Sequence, residues 1–525
     1  MPKVLIADDL SPRAADIFRA RGIEVDVKLG LKPDELKEII GGYDGLAVRS
    51  ATKVTKPVFD AALHLKVVGR AGIGVDNIDV PAATSRGIVV MNTPFGNSIT
   101  TAEHAIALIL ALARQLPAAD RSTQAGKWEK SRFMGTELTG KVLGVIGCGN
   151  IGSIVANRAI GLKMKVAAYD PFLSEDRAVE LGVEKVELDD LFARADVITM
   201  HTPLTDATRN IIDKAAIAKM KQGVRIVNCA RGGLIVEEDL VAGLDSGKVA
   251  AAAIDVFPVE PARESPFFGR DNVICTPHLG AATLEAQENV ALQVAEQMAD
   301  FLLTGAVVNA LNMPSLTAEE AMRLRPYMKL AEQLGSFAGQ MVEQGLNAIT
   351  IEYEGHVTTL NTKPLSAVVL TGVLRPMTET VNMVNAPVLC RERDISVTDS
   401  KRDGDSDYQT LIRVKVAGAG YTTSIAGTLF GGDKPRLVEV EGIAMEAELG
   451  PNVLYVRNKD KPGFIGNLGR TMGDAGVNIA TFHLGRLGPD QDAIALIQVD
   501  QYLNEALLDQ VRHIPHVVQV KALRF

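Results

Sequence analysis

Three residues far apart in the chain have the types that a hydroxyl-oxidising site requires: Arg231, Glu260 and His278. An imidazole titrates near neutrality, so His278 suits the general base that takes the hydroxyl proton. A carboxylate on its other ring nitrogen would fix the tautomer and stabilise the imidazolium, a role for which Glu260 is the candidate. The guanidinium fork of Arg231 matches a carboxylate or an α-hydroxy acid at two points. A fourth feature is the run Gly147-Cys148-Gly149-Asn150-Ile151-Gly152, a G-x-G-x-x-G spacing between an apolar strand and an alanine-rich helix. Gly147 permits the tight turn, Gly149 admits a pyrophosphate close to the backbone, and Gly152 lets the helix pack on the strand. Asp170 ends the next strand, placed to accept hydrogen bonds from a ribose diol. A carboxylate there repels a 2′-phosphate, so the pattern favours NAD over NADP. Together the residues imply hydride exchange between an alcohol carbon and NAD.

The elements that must position these groups follow from the periodicity. Residues 1–98 show short apolar strands separated by helical stretches, which implies a small parallel sheet. Arg49 and Arg70 each fall just past such a strand, beside glycine-rich turns, where open α/β sheets bind ligands. Two arginines at equivalent strand ends point to an anion. Thr100 to Glu103 has the form of a capping box opening a long apolar helix to Leu116. Trp128, Lys130 and Arg132 follow in a polar segment, either facing the crevice or lying on the surface. From 141 to 284 six strands recur at regular spacing, and His201-Thr202, Asn228 to Gly233, Asp255 and Thr276 to Gly280 all stand at their carboxyl ends.

Bulk properties narrow the class. A chain of 525 residues holds three or four domains. A net charge of −9 argues against a general nucleic-acid binder. Cys148, Cys229, Cys275 and Cys390 form no C-x-x-C pair, so neither disulfides nor a metal site are expected, and a reducing compartment is. The start reads as a strand and not a signal peptide, and the most apolar helix, Ala105 to Ala113, is too short to span a bilayer. The expected location is the cytoplasm, with no membrane contact.

Beyond Pro314 the register changes. A helix from Glu319 to Gln344 and strands at Ile349–Tyr353, Leu411–Val416, Thr422–Thr428 and Leu437–Val440 suggest an α+β module. The last segment reads βαββαβ, a ferredoxin-like order.

The combination GCGNIG, HTPL, NCARGG, DVFPVEP and TPHLGAAT resembles the D-isomer-specific 2-hydroxyacid dehydrogenases. GRAGIGVDNID, the stretch GKWEKSRFMGTELTGKVLGVIG and the two C-terminal modules resemble the long-form branch acting on 3-phospho-D-glycerate. The resemblance implies a Rossmann NAD domain (99–284) inserted in a flavodoxin-like substrate domain (1–98 and 285–313). It further implies an intervening regulatory domain (317–447) and a terminal ACT domain (452–525). Arg231, Glu260 and His278 would be catalytic. Besides the glycine turn, Asp170, Thr202, Cys229, Ala230, Arg231, Asp255, His278, Leu279, Gly280 and Ala281 would line the NAD site. Arg49, Arg70 and either Lys130 or Arg132 would hold a phosphorylated hydroxy acid. This chain has Lys130 where many members carry Arg, and Ile73 where some carry Thr. Asn458, Asp460 and Asn478 would contact an amino-acid effector, L-serine, in a homodimer or homotetramer. The rival readings are a reductase of hydroxypyruvate, glyoxylate or 2-oxoglutarate, an NAD(H)-sensing regulator, and a C-terminal third that serves assembly alone.

Overall fold

Apolar runs alternating with helices leave consecutive strands no hairpin to close, so they pair in parallel through helical crossovers. The computed structural model of the chain describes residues 1–343, 345–378, 380–402 and 407–525, and it contains two such sheets. The first comprises β1 (Lys3–Ile6), β2 (Glu24–Val27), β3 (Gly45–Val48), β4 (Val67–Arg70) and β5 (Val89–Met91), in the order β2-β1-β3-β4-β5. That is the flavodoxin-like order. The second comprises β6 (Val142–Ile146), β7 (Lys165–Tyr169), β8 (Glu184–Lys185), β9 (Val197–Met200), β10 (Val224–Asn228), β11 (Val249–Ile254) and β12 (Val273–Cys275). Its order, β12-β11-β10-β9-β6-β7-β8, is the Rossmann order with one further edge strand. Six strands were expected here. The missed one is β8, two charged residues against β7, which no apolar run announces.

Two long helices join the lobes. The first, Ser98–Arg114, leaves the first sheet and packs beside the helix Asn150–Gly161. The second, Leu284–Thr304, returns to lie against β3 and β4. Their starts meet where Thr100 Oγ1 and Thr283 Oγ1 lie 3.3 Å apart. The first helix departs from expectation at both ends. It starts at Ser98 after Asn97, and Thr101 donates back to the Asn97 carbonyl at 3.0 Å, so no capping box forms at 100–103. It stops at Arg114 because Gln115 adopts a left-handed φ of 53°, and a second helix, Leu116–Gln124, turns away by 61°. Among the described residues no single helix is long and apolar enough to cross a membrane.

The C-terminal part holds two further sheets. One comprises β13 (Ala348–Gly355), β14 (Ser396–Arg402), β15 (Thr410–Gly418), β16 (Tyr421–Phe430), β17 (Lys434–Val440) and β18 (Ile443–Ala447), in the order β14-β13-β15-β16-β17-β18. All neighbours are antiparallel except β13 and β14. The polar, exposed β14 and the short β18 carry little apolar alternation and were not expected. The helix Ala318–Met341 covers this sheet; the expected end at Gln344 lies outside the described residues. The last sheet comprises β19 (Asn452–Lys459), β20 (Ile479–Arg486), β21 (Asp492–Val499) and β22 (Val517–Arg524), in the order β20-β21-β19-β22. With helices Phe464–Asp474 and Glu505–Arg512 it completes the ferredoxin-like βαββαβ unit.

The helix Lys363–Leu374 is buried from Pro364 to Leu374, because it lies between the sheet's covering helix and the rest of the core. The two helices touch backbone to backbone. A Cβ at Gly335 would stand 2.4 Å from the Val369 carbonyl, and one at Gly372 would stand 2.6 Å from the Ser336 nitrogen. Neither neighbour is a flexible side-chain end, so the helices would have to separate. Gly372→Val is expected to destabilise this unit by about 1–3 kcal/mol or more, read as a lowered first transition in calorimetry. An unchanged transition would show that the helices are not in backbone contact.

Candidate active site

The carboxyl ends of both parallel sheets face one crevice, and the glycine turn forms one wall of it. Gly147 has φ 89°, and a Cβ there would lie 2.6 Å from the His201 carbonyl and 3.1 Å from the Thr202 nitrogen. A Cβ at Gly152 would lie 2.0 Å from the Gly147 carbonyl, whereas the space above Gly149 is open for 4 Å. Gly149 caps the helix Asn150–Gly161, so the free N–H groups of its first turn stand at that opening. Asp170 Oδ2 accepts from the Cys148 nitrogen and Oδ1 from the Phe172 nitrogen, both at 2.8 Å. The second lone pair of each oxygen is left for other donors. Open backbone, helix N-terminus and carboxylate together fit a pyrophosphate and a ribose diol. Ile151 packs beneath on the helix, and Asn150 Nδ2 reaches across to the Pro94 carbonyl at 3.4 Å.

Arg231 follows β10 through a turn shaped by Asn228, whose Oδ1 accepts from the Ala230 nitrogen and whose Nδ2 donates to the Arg231 carbonyl. Its guanidinium crosses to the other lobe, with Nε donating to Asp76 Oδ2 at 3.1 Å. Gly74 makes room for it, since a Cβ there would lie 1.8 Å from Arg231 Nη2. Cys229 and Ala230 are buried beneath, and burial pushes the Cys229 thiol well up. His278 Nδ1 lies 2.7 Å from Glu260 Oε2, and Glu260 Oε1 accepts from the Phe257 nitrogen at 3.0 Å. A carboxylate only accepts, so Nδ1 carries the proton and Nε2 is the basic nitrogen.

Arg70 ends β4, deep in the crevice. Burial first, then the neighbouring charges of Arg231 and Arg49, push its guanidinium down to about 10. Its Nε is buried with no hydrogen-bond partner among the described residues. Arg49 is fixed through its own backbone, which donates to Asp8 Oδ2 at 2.6 Å. Three guanidinium groups therefore share a space in which Asp76 and Asp8 are the nearby carboxylates. Such a crevice favours an anion with more than one negative group.

Asp255 has no exposed surface, so in this conformation it acts on the NAD side only through the turn it holds. Its oxygens accept from the nitrogens of Leu279 (2.7 Å) and Gly280 (3.0 Å) and from Thr276 Oγ1 (2.6 Å). Ala281 continues that turn. Burial raises the Asp255 carboxyl, but the donors His104, Thr276 and Leu279 outweigh it and hold the carboxyl below its usual range.

Lys130 and Arg132 are not brought to this crevice in the chain. Their segment turns away with the helix Leu116–Gln124, and Arg132 pairs with Glu129 (3.1 Å) and Asp271 (2.9 Å). Arg132 lines a cavity of about 240 Å³ with Arg121 and Arg225, at the amino ends of β10, β11 and β12. The three expected effector residues do not converge either. Asn458 pairs with Ala493 in the sheet, as does Arg486 at the end of β20, whereas Asn478 precedes the other end of β20. The eight residues of β20 separate them, on the order of 25 Å. Asn458 is buried, Asp460 accepts from Arg486 Nη1 at 2.9 Å, and Asn478 donates to Asp500 at 2.6 Å.

Asp76 and His104 were missed by the sequence reading. Asp76 lies inside the glycine-rich stretch after β4 and His104 within an apolar helix, and no motif marks either of them.

Residues 106–280 match the NAD-binding domain of the D-isomer specific 2-hydroxyacid dehydrogenases, and residues 323–441 match the D-3-phosphoglycerate dehydrogenase intervening domain. The chain is 43% identical over 513 residues to a D-3-phosphoglycerate dehydrogenase of Synechocystis, covering 97% of this chain and 92% of that one. It is 41% identical to one of Bacillus subtilis, covering 100% and 99%. The chain belongs to the D-3-phosphoglycerate dehydrogenase family. Among solved structures, a glyoxylate reductase from Paecilomyes thermophila is 30% identical with a TM-score of 0.55, over 59% of this chain and 98% of that one. An NAD-dependent dehydrogenase of the 2-hydroxyacid type is therefore established, with NAD its cofactor.

One buried-base effect is measurable at this site. His201 follows β9, its Nε2 lies 2.9 Å from Thr199 Oγ1 and its Nδ1 is buried without a hydrogen-bond partner among the described residues. Burial pushes the imidazole down to about 4. The unfolded chain protonates this ring below its ordinary 6.5 while the fold resists until about 4. Stability is complete above the upper value and falls as pH drops through the window, by about 3 kcal/mol. His201→Gln is expected to remove that share of the acid sensitivity, measured as the difference in urea midpoint between neutral and weakly acid buffer. Equal pH dependence in both proteins would refute it.

Proposed function

We propose that this enzyme oxidises 3-phospho-D-glycerate at C2 to 3-phosphooxypyruvate, the opening step of L-serine biosynthesis. The reading is supported by the cluster of Arg70 with Arg231 and Arg49 and by the His278–Glu260 hydrogen bond, on turns that pack together: a Cβ at Gly232, next to Arg231, would lie 2.1 Å from the Phe257 carbonyl carbon. Curated relatives matching over nearly the whole chain carry the corresponding name. In this assignment Arg231 holds the substrate carboxylate, and Arg70 with Arg49 holds the phosphate. The hydroxyl proton passes to His278 Nε2, the O–H pair becomes the second bond of the carbonyl, and Glu260 takes up the imidazolium charge. The turn Gly147 to Gly152, Asp170, Thr202 and the turn following Asp255 would hold NAD, which when bound would supply the acceptor for the C2 hydride. The charge of Arg70, costly in isolation, is repaid by a bound dianion.

The proposed division of the chain is a substrate domain (1–98 and 285–313), an NAD domain (99–284), an intervening domain (317–447) and an ACT domain (452–525). L-serine is the proposed effector of the last. Since Asn458 and Asp460 lie at one end of its sheet and Asn478 at the other, a site using all three takes them from two copies. This supports a homodimer or homotetramer. The cytoplasm is the proposed location.

The test is initial rate with NAD across 3-phospho-D-glycerate, D-glycerate and 2-hydroxyglutarate, each with and without L-serine. Preference for an unphosphorylated acid would favour the reductase reading instead, and indifference to serine would leave the C-terminal unit an assembly role. His278→Ala is expected to lower kcat by about 10²–10⁴-fold while NADH affinity stays near wild type. Arg70→Ala is expected to raise KM for the phosphorylated substrate by roughly 10–100-fold, with little change for D-glycerate. A wild-type KM in that variant would remove Arg70 from the phosphate site.

A further inference from the structure

The turn that carries His278 is fastened by one carboxylate, and that carboxylate is in turn fastened from a different element. The Asp255 carbonyl accepts from the His278 nitrogen at 2.9 Å, while its side-chain oxygens accept from Leu279, Gly280 and Thr276. These bonds hold His278 at φ 55°, a left-handed conformation that an imidazole side chain adopts only when its surroundings impose it. The remaining donor to Asp255 comes from the helix Ser98–Arg114. His104, in its second turn, places Nε2 3.2 Å from Asp255 Oδ1 and 3.4 Å from Thr276 Oγ1, with only 18% of its side chain exposed. The sulfur of Cys229 lies within 4.8 Å of both.

We propose that His104 is a positioning residue for the dehydrogenase: its Nε2–H, shared between Thr276 Oγ1 and the buried Asp255 carboxylate, fixes the turn that aims His278 into the crevice. The inference rests on the reading of His278 as the base. A buried carboxylate that loses a donor recovers by shifting toward another or by admitting water. Either movement is passed directly to the nitrogens of His278, Leu279 and Gly280, because the same residue holds all three. The helix that bears His104 also begins at the crossing between the lobes, so this hydrogen bond registers the catalytic turn to the substrate lobe as well as to its own sheet.

The test compares His104→Leu, which removes the donor, with His104→Gln, which keeps one at the same reach. A hydrogen bond to a charged group corresponds to about 10–100-fold. His104→Leu is expected to lower kcat by about that factor, raise the NADH dissociation constant several-fold in a fluorescence titration and leave KM for 3-phospho-D-glycerate within about threefold. His104→Gln is expected to recover kcat and NADH affinity to within about threefold of wild type. A Leu variant within twofold of wild type on both measures overturns the proposal, as does a Gln variant no better than Leu. Should the Leu variant not fold, a Gln variant below a tenth of wild-type kcat overturns it and one near wild type supports it. If the wild-type enzyme does not turn over 3-phospho-D-glycerate, the substrate reading fails, while the NADH titration still decides the role of His104.

Discussion

Guanidinium groups from two lobes crowd one crevice with too few carboxylates beside them, and much of the architecture answers that constraint. Arg49 and Arg70 come from the first sheet and Arg231 from the second. The cross-crevice pair Arg231–Asp76 and the backbone-held Asp8 supply part of the balance. The remainder is unbalanced, and Arg70 is pushed down by burial first and then by the charges of Arg231 and Arg49. Charge of one sign can be held at this density only on rigid supports. Parallel strands buried on both faces provide them, because each arginine then leaves the end of a strand that cannot relax away. On the proposed assignment a bound polyanion supplies the missing negative charge, which makes affinity and specificity two aspects of the same electrostatic shortfall.

The side of the crevice that carries Glu260 and His278 is built on the opposite logic, with its carboxylates matched by donors. Glu260 is held by the Phe257 nitrogen and holds His278; Asp255 is held by four donors and holds the turn. Each carboxylate is fixed before it fixes something else, so the imidazole is oriented without needing a ligand. One wall is thus preorganised by satisfied hydrogen bonds and the other is left for substrate to complete. A base must keep its tautomer through turnover, whereas an anion site must release its occupant, and the two walls differ accordingly.

What could be read from the sequence follows the same division. The glycine turn, Asp170 and the placement of Arg231, Glu260 and His278 at strand ends were legible because each depends on local chain geometry: strand, turn, helix, strand end. β8 and β14 were not legible, since a two-residue charged edge and an exposed polar edge take their conformation from the neighbouring strand. The capping box at Thr100 failed because Thr101 found a partner in the preceding turn, at Asn97. Arg132, offered with Lys130 as a substrate contact by the resemblance, lies elsewhere because a left-handed Gln115 redirects its whole segment to the far end of the sheet. His104 left no sequence signal at all: its partner is 151 positions away and is brought near only by packing of the interlobe helix on the second sheet.

The C-terminal half is not appended to this machinery as an independent body. One apolar core runs without interruption from Val4 and Met91 of the first sheet, through Leu316 and Leu324, to Ile349 and Tyr455 of the last two sheets. A polar contact lies beside it, where Asn382 Nδ2 donates to the Gly87 carbonyl at 2.9 Å. Gly87 has φ 72°, and a Cβ there would stand 2.1 Å from Asn382, so the approach depends on glycine. Gly87 directly follows the short helix Val80–Ser85, whose other end is capped by Asp79, three residues beyond Asp76. A close-packed core has little compressibility, so displacement at one end must be accommodated along its length. The first rigid element it meets on leaving the intervening sheet is the helix behind the loop that carries Asp76 to Arg231. The apolar core and the Asn382–Gly87 contact thus connect the C-terminal sheets to the helix behind the loop that bears Asp76.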